Sequence, residues 1–180
     1  MEGQMIQASE KQAGIRWVVM GVCGCGKSTV GQQLADALGN AYVEGDAFHP
    51  KANVDKMSAG QPLDDDDRSD WLRAIKQQIQ QARERGLGLV VSCSALKRSY
   101  RDLLREADPA LRFAHLHGSR ALIAERLAAR RDHYMPPHLL ASQLAALEPL
   151  GGDENGLSLD IRDSPDRLVE TILASRADIG

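Results

Sequence analysis

Gly21-Val22-Cys23-Gly24-Cys25-Gly26-Lys27-Ser28 leaves this chain fewer choices than any other segment. It fits the pattern G-x-x-x-x-G-K-[ST]. Ile15 to Met20, just before it, is a short apolar run that reads as a buried parallel strand. From Ser28 to Leu38, apolar Val30, Leu34, Ala37 and Leu38 recur at helical spacing, and Gly39 ends the run. Strand, glycine-rich turn and helix together make a phosphate cradle. Glycines let backbone N–H groups turn inward around phosphate oxygens, and the helix N-terminus adds the positive end of its dipole. Gly21, Cys23, Gly24, Cys25, Gly26, Lys27, Ser28 and Thr29 are therefore the candidate contacts to a nucleotide. Lys27 suits the β- and γ-phosphates, and the Ser28 hydroxyl suits Mg²⁺. Cys23 and Cys25 read as small residues standing in for serine, with a redox pair as the competing reading.

The rest of the chain continues the alternation. Strands are expected at Ala41–Val43, Gly86–Val91, Arg112–His117 and Leu157–Ile161. Helices are expected through the Trp71, Leu72, Ile75, Ile79 and Ala82 stripe, over Lys97–Ala107 and Ala121–Arg131, up to Ala146, and after Ser164-Pro165. This pattern predicts an α/β fold: a three-layer parallel sheet with helices on both faces. Residues 1–14 show no periodicity and are expected as a flexible extension, leaving 15–180 as one domain. Two insertions interrupt the alternation, at about 46–85 and about 126–146. They are expected to form an acceptor-binding region and a lid beyond the C-terminal strand ends. His115 and His117 share a strand face and read as packing rather than as a metal pair.

The 180 residues carry 22 Lys and Arg against 25 Asp and Glu, a net charge of −3. That offers no basic field for nucleic acid or an anionic membrane. No apolar run approaches a bilayer span, and the polar start lacks the apolar core of a secretory signal. The three cysteines match neither a disulfide framework nor a zinc pattern, so a cytoplasmic location is expected. No asparagine is followed by lysine, which disfavours a guanine-selective switch protein, and there is no room for motor domains. A small kinase remains. Asp46, closing the second strand, is its candidate proton acceptor or holder of a metal-bound water.

At this level of detail the chain resembles the gluconokinase family of P-loop small-molecule kinases. The resemblance rests on the phosphate loop, Gly45-Asp46-Ala47-Phe48-His49-Pro50, Lys56-Met57, Pro62 to Arg68, Trp71-Leu72, Cys93 to Lys97, Tyr100-Arg101-Asp102, His133 to Pro136, and Gln143 to Glu148. It implies an adenylate- and shikimate-kinase-like fold with a lid. It also implies transfer of the γ-phosphoryl of ATP, with Mg²⁺, to the 6-hydroxyl of D-gluconate, and a homodimer. Asp46, His49, Arg68, Lys97, Arg101 and His133 are then the candidate acceptor contacts, with Arg68 suited to a bidentate pair with the carboxylate. The competing readings are an ion pair with acidic neighbours for Arg68, a solvated helix face for Lys97 and Arg101, and a backbone-bonded turn residue for His49. Arg126 and Arg130, four apart near a helix end, look like the family's lid entrance. Arg126 would stack on adenine, and Arg130 would meet the transferring phosphate and serve catalysis with Lys27 and Asp46. Within Asp64–Asp67, some carboxylates are expected to cap the next helix while Asp65 or Asp67 orients the site. A shikimate-type kinase and a nucleotide-binding regulator are the rival readings.

Overall fold

The computed structural model describes residues 14–130 and 136–176. Five strands form one sheet: β1 (Arg16–Met20), β2 (Ala41–Glu44), β3 (Leu89–Ser92), β4 (Arg112–His117) and β5 (Gly156–Asp160). Their order is β2-β3-β1-β4-β5 and every pair is parallel. β1 is central and buried at all five residues, which is why it reads as an unbroken apolar run.

Seven helices cover the sheet: α1 (Lys27–Leu38), α2 (Lys51–Ser58), α3 (Asp65–Glu84), α4 (Arg98–Ala107), α5 (Arg120–Ala128), α6 (Pro137–Ala146) and α7 (Pro165–Ala174). Alternate β1 side chains serve opposite faces. Trp17 and Val19 pack with Val30 and Leu34 of α1 and with Leu168 and Ile172 of α7. Val18 and Met20 pack with Trp71, Ile75 and Ile79 of α3 and with Leu104 of α4. Because every strand runs the same way, the β1–α1, β2–α2 and β3–α4 connections gather at one sheet edge.

Several helix ends follow directly from their residues. Asp64 caps α3, accepting from the Asp67 N–H, while the Asp67 carboxylate accepts from the Asp64 N–H. Ser119 and Ser164 cap α5 and α7 in the same way. Two expectations need correction. β3 starts at Leu89 rather than Gly86, because Gly86 sits at φ 65 in the turn that leaves α3. No helix is expected between Asp46 and the Trp71 stripe, yet Lys51–Ser58 form α2; only Asn53 of that short helix is buried, so it carries no apolar stripe. Ahead of β1 the Gly14 N–H donates to Gly86 O at 3.4 Å. Residues 1–13 lie outside the described part.

His115 is 4% exposed and neither ring nitrogen has a partner among the described residues. Burial, aided by His117 and Arg101, depresses its pKa to about 4. The unfolded chain, with a pKa near 6.5, therefore binds this proton first as pH falls, so the contribution to stability is complete above about 6.5 and drains toward about 4. His115→Leu should flatten the acid limb of a stability–pH curve by up to about 3 kcal/mol. An unchanged acid limb would show that His115 is not held neutral.

Candidate active site

The phosphate loop divides two cavities. Gly24 and Gly26 adopt φ 89 and 86, which turns the loop back toward the N-terminus of α1. A Cβ on Gly24 would also stand 2.8 Å from Leu127 Cγ, so glycine is required there twice over. Lys27 rests its Nζ on Val22 O at 3.1 Å.

On one side lies a cavity of about 150 Å³, walled by Cys23, Lys27, Asp46, His49, Arg68 and Trp71 together with Met57, Leu63, Ser94, Leu96, Leu139, Ser142 and Gln143. On the other lies one of about 220 Å³, walled by Gly24, Cys25, Gly26 and Thr29 of the loop and α1, by Arg126 and Arg130, and by Asp163, Pro165 and Leu168. Arg126 is steadied by a 2.6 Å bond from Nη2 to Ile161 O. α5 ends at Ala128, so Arg130 lies past the helix rather than on a helical face with Arg126, yet both line this second cavity.

Asp46 sits in a tight 3-10 turn, Gly45–Phe48, directly after β2. Gly45 is enforced by packing: a Cβ there would lie 2.1 Å from Ser92 O. Trp71, expected only as core, does more. Its Nε1 donates to Gly45 O at 2.8 Å, and its ring stacks on His49 at 4.2 Å and 15°. Asn53 Nδ2 lies 3.3 Å from His49 Nδ1 and also donates to Asp67 O at 2.7 Å. The amide nitrogen must therefore be the donor, which leaves the His49 proton on Nε2. Burial lowers the His49 pKa, with Arg68 adding to it and Asp46 opposing it. The His49 backbone N–H closes the 3-10 turn on Asp46 O at 3.3 Å, while its neutral ring is held by Asn53 and Trp71 and presents Nε2–H in this wall.

Arg68 donates Nη1 to the Tyr100 hydroxyl at 3.1 Å and lies 5.6 Å from the centre of that ring. Among the described residues it forms no ion pair, so the competing reading fails. The acidic neighbour Asp65 is taken instead by Lys97 Nζ at 2.9 Å and by the Tyr100 hydroxyl. Lys97 itself is the residue before α4 and does not line the cavity.

Arg101 requires a correction. It is fully buried, with Nε and Nη2 on Glu154 at 2.7 and 2.9 Å and Nη1 on the carbonyls of Ala95 and Leu96. Spacing placed it on one face with Lys97, but that part of the helix faces the core. Nη1 thereby anchors the β3–α4 loop, where Ala95 holds a left-handed φ of 44, while Nε and Nη2 hold Glu154 and the Pro149 carbonyl in the segment before β5. It is a positioning residue for the cavity wall. His133 lies outside the described residues.

Glu44 is a site residue the sequence reading missed. Its Oε2 accepts from Ser28 Oγ at 2.5 Å and from the Tyr42 hydroxyl at 2.7 Å, and its Oε1 accepts from Ser92 Oγ at 2.8 Å. Burial alone would raise its pKa, but the three hydroxyls outweigh burial and hold it below the ordinary value. An ionised carboxylate beside Ser28 is a hard oxygen donor set of the kind Mg²⁺ prefers. The only sequence signal was an acid at the end of the strand that leads to Asp46.

Two outcomes test this arrangement. Arg101→Ala leaves buried Glu154 with Arg105 as its remaining guanidinium partner and the Ala95 and Leu96 carbonyls without a donor, and should still cost about 3 kcal/mol of stability; thermal unfolding close to that of the unmodified chain would contradict the anchoring role. Cys23 is half-buried on the cavity wall, whereas Cys25 and Cys93 are buried and burial raises both thiols, Cys93 to about 12. A thiol reagent should therefore label Cys23 first, inhibit, and be slowed by Mg-ATP; peptide mapping that finds Cys25 or Cys93 labelled first would refute this.

An AAA domain family model matches residues 17–150. The chain is 46% identical over 167 residues to a gluconokinase of Gluconobacter oxydans (strain 621H), covering 91% of this chain and 94% of that one. It is 39% identical over 163 residues to the thermoresistant gluconokinase of Escherichia coli (strain K12), covering 91% of each. The crystal structure of a gluconokinase from Sinorhizobium meliloti 1021 superposes with a TM-score of 0.84 at 46% identity, covering 93% of each chain.

Proposed function

The chain belongs to the gluconokinase family, and from that premise we propose that it transfers the γ-phosphoryl of ATP to the 6-hydroxyl of D-gluconate, giving 6-phospho-D-gluconate and ADP. One observation carries the assignment of residues. Asp46, His49 and Arg68 face Lys27 and Cys23 across a single cavity, while Arg126 and Arg130 flank the far side of the same phosphate loop. An acceptor and a nucleotide can then meet end to end over Lys27. Family membership also sets aside the regulatory reading, and the shikimate-type acceptor with it.

The residues divide the work by their chemistry. Inward-turned N–H groups and Lys27 hold the phosphates and balance charge as it moves to the leaving ADP oxygen. Asp46 takes the proton of the attacking hydroxyl as its oxygen bonds to the γ-phosphorus and the bond to the β–γ bridging oxygen breaks. Arg68 pairs with the gluconate carboxylate, and neutral His49 donates from Nε2 to a hydroxyl. Arg126 stacks on the base, and Arg130 reaches toward the phosphates from the nucleotide side. Ser28 and Glu44 would hold the Mg²⁺ that arrives with ATP, and there it would neutralise phosphate charge. Lys97 and Arg101 are not assigned to substrate.

A cytoplasmic location is supported by three cysteines that form no disulfide, and a homodimer by family resemblance alone. Among the described residues no helix is long and apolar enough to cross a membrane.

ADP release from Mg-ATP should rise strongly with gluconate and little with shikimate, glucose or nucleoside monophosphates. Asp46→Asn should lower kcat by roughly 10²–10⁴-fold, the span typical of a lost general base. Arg68→Ala should chiefly raise KM for gluconate. Stimulation by a different acceptor would contradict the gluconate assignment, and an Asp46→Asn enzyme near full kcat would contradict the proton acceptor.

A further inference from the structure

Gln143 lies on α6 and has no place in the mechanism above, yet it touches the phosphate loop. Its Oε1 accepts from the Cys23 N–H at 2.7 Å, across 120 residues of sequence. A backbone N–H can only donate, so the atom facing it must be the amide oxygen. The two hydrogens on Nε2 are thereby turned away from the loop. They find no acceptor among the described residues, and Gln143 forms part of the wall that also carries Asp46, His49 and Arg68.

The amide is well held. Leu139 and Leu140 bury one side of α6 in the core. At the N-terminal end of α6, His138 bonds Gly60 O in the acceptor region. Just past its C-terminal end, the Glu148 N–H donates to Leu96 O at 2.8 Å, tying the chain to the β3–α4 loop. A donor fixed at three points and aimed into a polar cavity is preorganised for a neutral oxygen ligand. The cavity it faces is the one opposite Arg126 and Arg130, so the ligand is the acceptor and not the nucleotide base.

We propose that Gln143 is a specificity residue for the acceptor: clamped through Oε1 by the Cys23 N–H, it donates from Nε2 to a hydroxyl of the polyhydroxy acid. This rests on the kinase reading above. The clamp makes acceptor recognition dependent on the shape of the phosphate loop, because the loop's own N–H orients the group that reads the hydroxyl.

Two variants separate recognition from a mere tie between α6 and the loop. Gln143→Glu keeps an oxygen for the Cys23 N–H but presents a carboxylate, not a donor, to the cavity. Gln143→Met loses both. The readouts are KM for gluconate, KM for ATP, and the preference for gluconate over its monodeoxy analogues, in the whole protein. For wild type, removing the hydroxyl that Gln143 reads should lower kcat/KM about tenfold, the scale of one hydrogen bond. Both variants should raise KM for gluconate at least about tenfold, leave KM for ATP within about twofold, and lose that preference. A Gln143→Glu enzyme that behaves as wild type while Gln143→Met is impaired would reduce Gln143 to a clamp and overturn the proposal. So would equal losses against every deoxy analogue, or a change confined to KM for ATP. A wild-type protein with no gluconate-stimulated ADP release would instead overturn the kinase reading on which the proposal stands.

Discussion

The site depends on β1 ending, fully buried, at the centre of the sheet. The chain can leave a buried central strand at that edge only through a turn whose N–H groups lack strand partners, and those groups must find acceptors. The glycines at 24 and 26 turn them inward, above the N-terminus of α1, which concentrates positive potential where phosphate oxygens can lie. Everything else is arranged around that point. α7, Arg126 of α5 and Arg130 just past that helix lie to one side, and the β2 turn, α3 and α6 to the other. The division into two cavities is thus a consequence of strand order rather than of any single side chain.

Polar networks then hold each wall in place. Glu44 collects three hydroxyls at the joint of α1, β2 and β3, so the strand end that presents Asp46 is tied to the helix that presents Ser28. Trp71 does the same from below, bonding Gly45 and supporting the His49 ring. Arg101 and Glu154 are buried and paired, and a buried pair of this kind is weak evidence for net stability. Its value here is geometric. The guanidinium satisfies carbonyls of a loop whose backbone would otherwise be costly to hold, and that loop carries Ser94 and Leu96 into the acceptor wall.

The strands, most helices and the phosphate loop were legible in the sequence because each is announced by periodicity or by glycine. Asp46 was singled out by its place at the end of the second strand, and His49 and Arg68 by the resemblance of their surrounding motifs. What was not legible has a common physical origin. Spacing shows that Arg101 shares a face with Lys97, but not whether that face meets solvent or core. The α2 helix escaped because one buried Asn53 leaves no apolar stripe. The tie from Ser28 to Glu44 joins two different elements 16 residues apart, and that from Cys23 to Gln143 spans 120 residues, and no local periodicity encodes either pair.

The central claim is that acceptor and nucleotide meet over Lys27 in one defined orientation. A crystal structure with gluconate and a non-hydrolysable ATP analogue tests it most directly. The account predicts the 6-hydroxyl within hydrogen-bond reach of the Asp46 carboxylate, in line with the γ-phosphorus, and the gluconate carboxylate on Arg68. Gluconate bound the other way round, with its carboxylate toward the phosphate loop, or an analogue whose base lies away from Arg126, would contradict it.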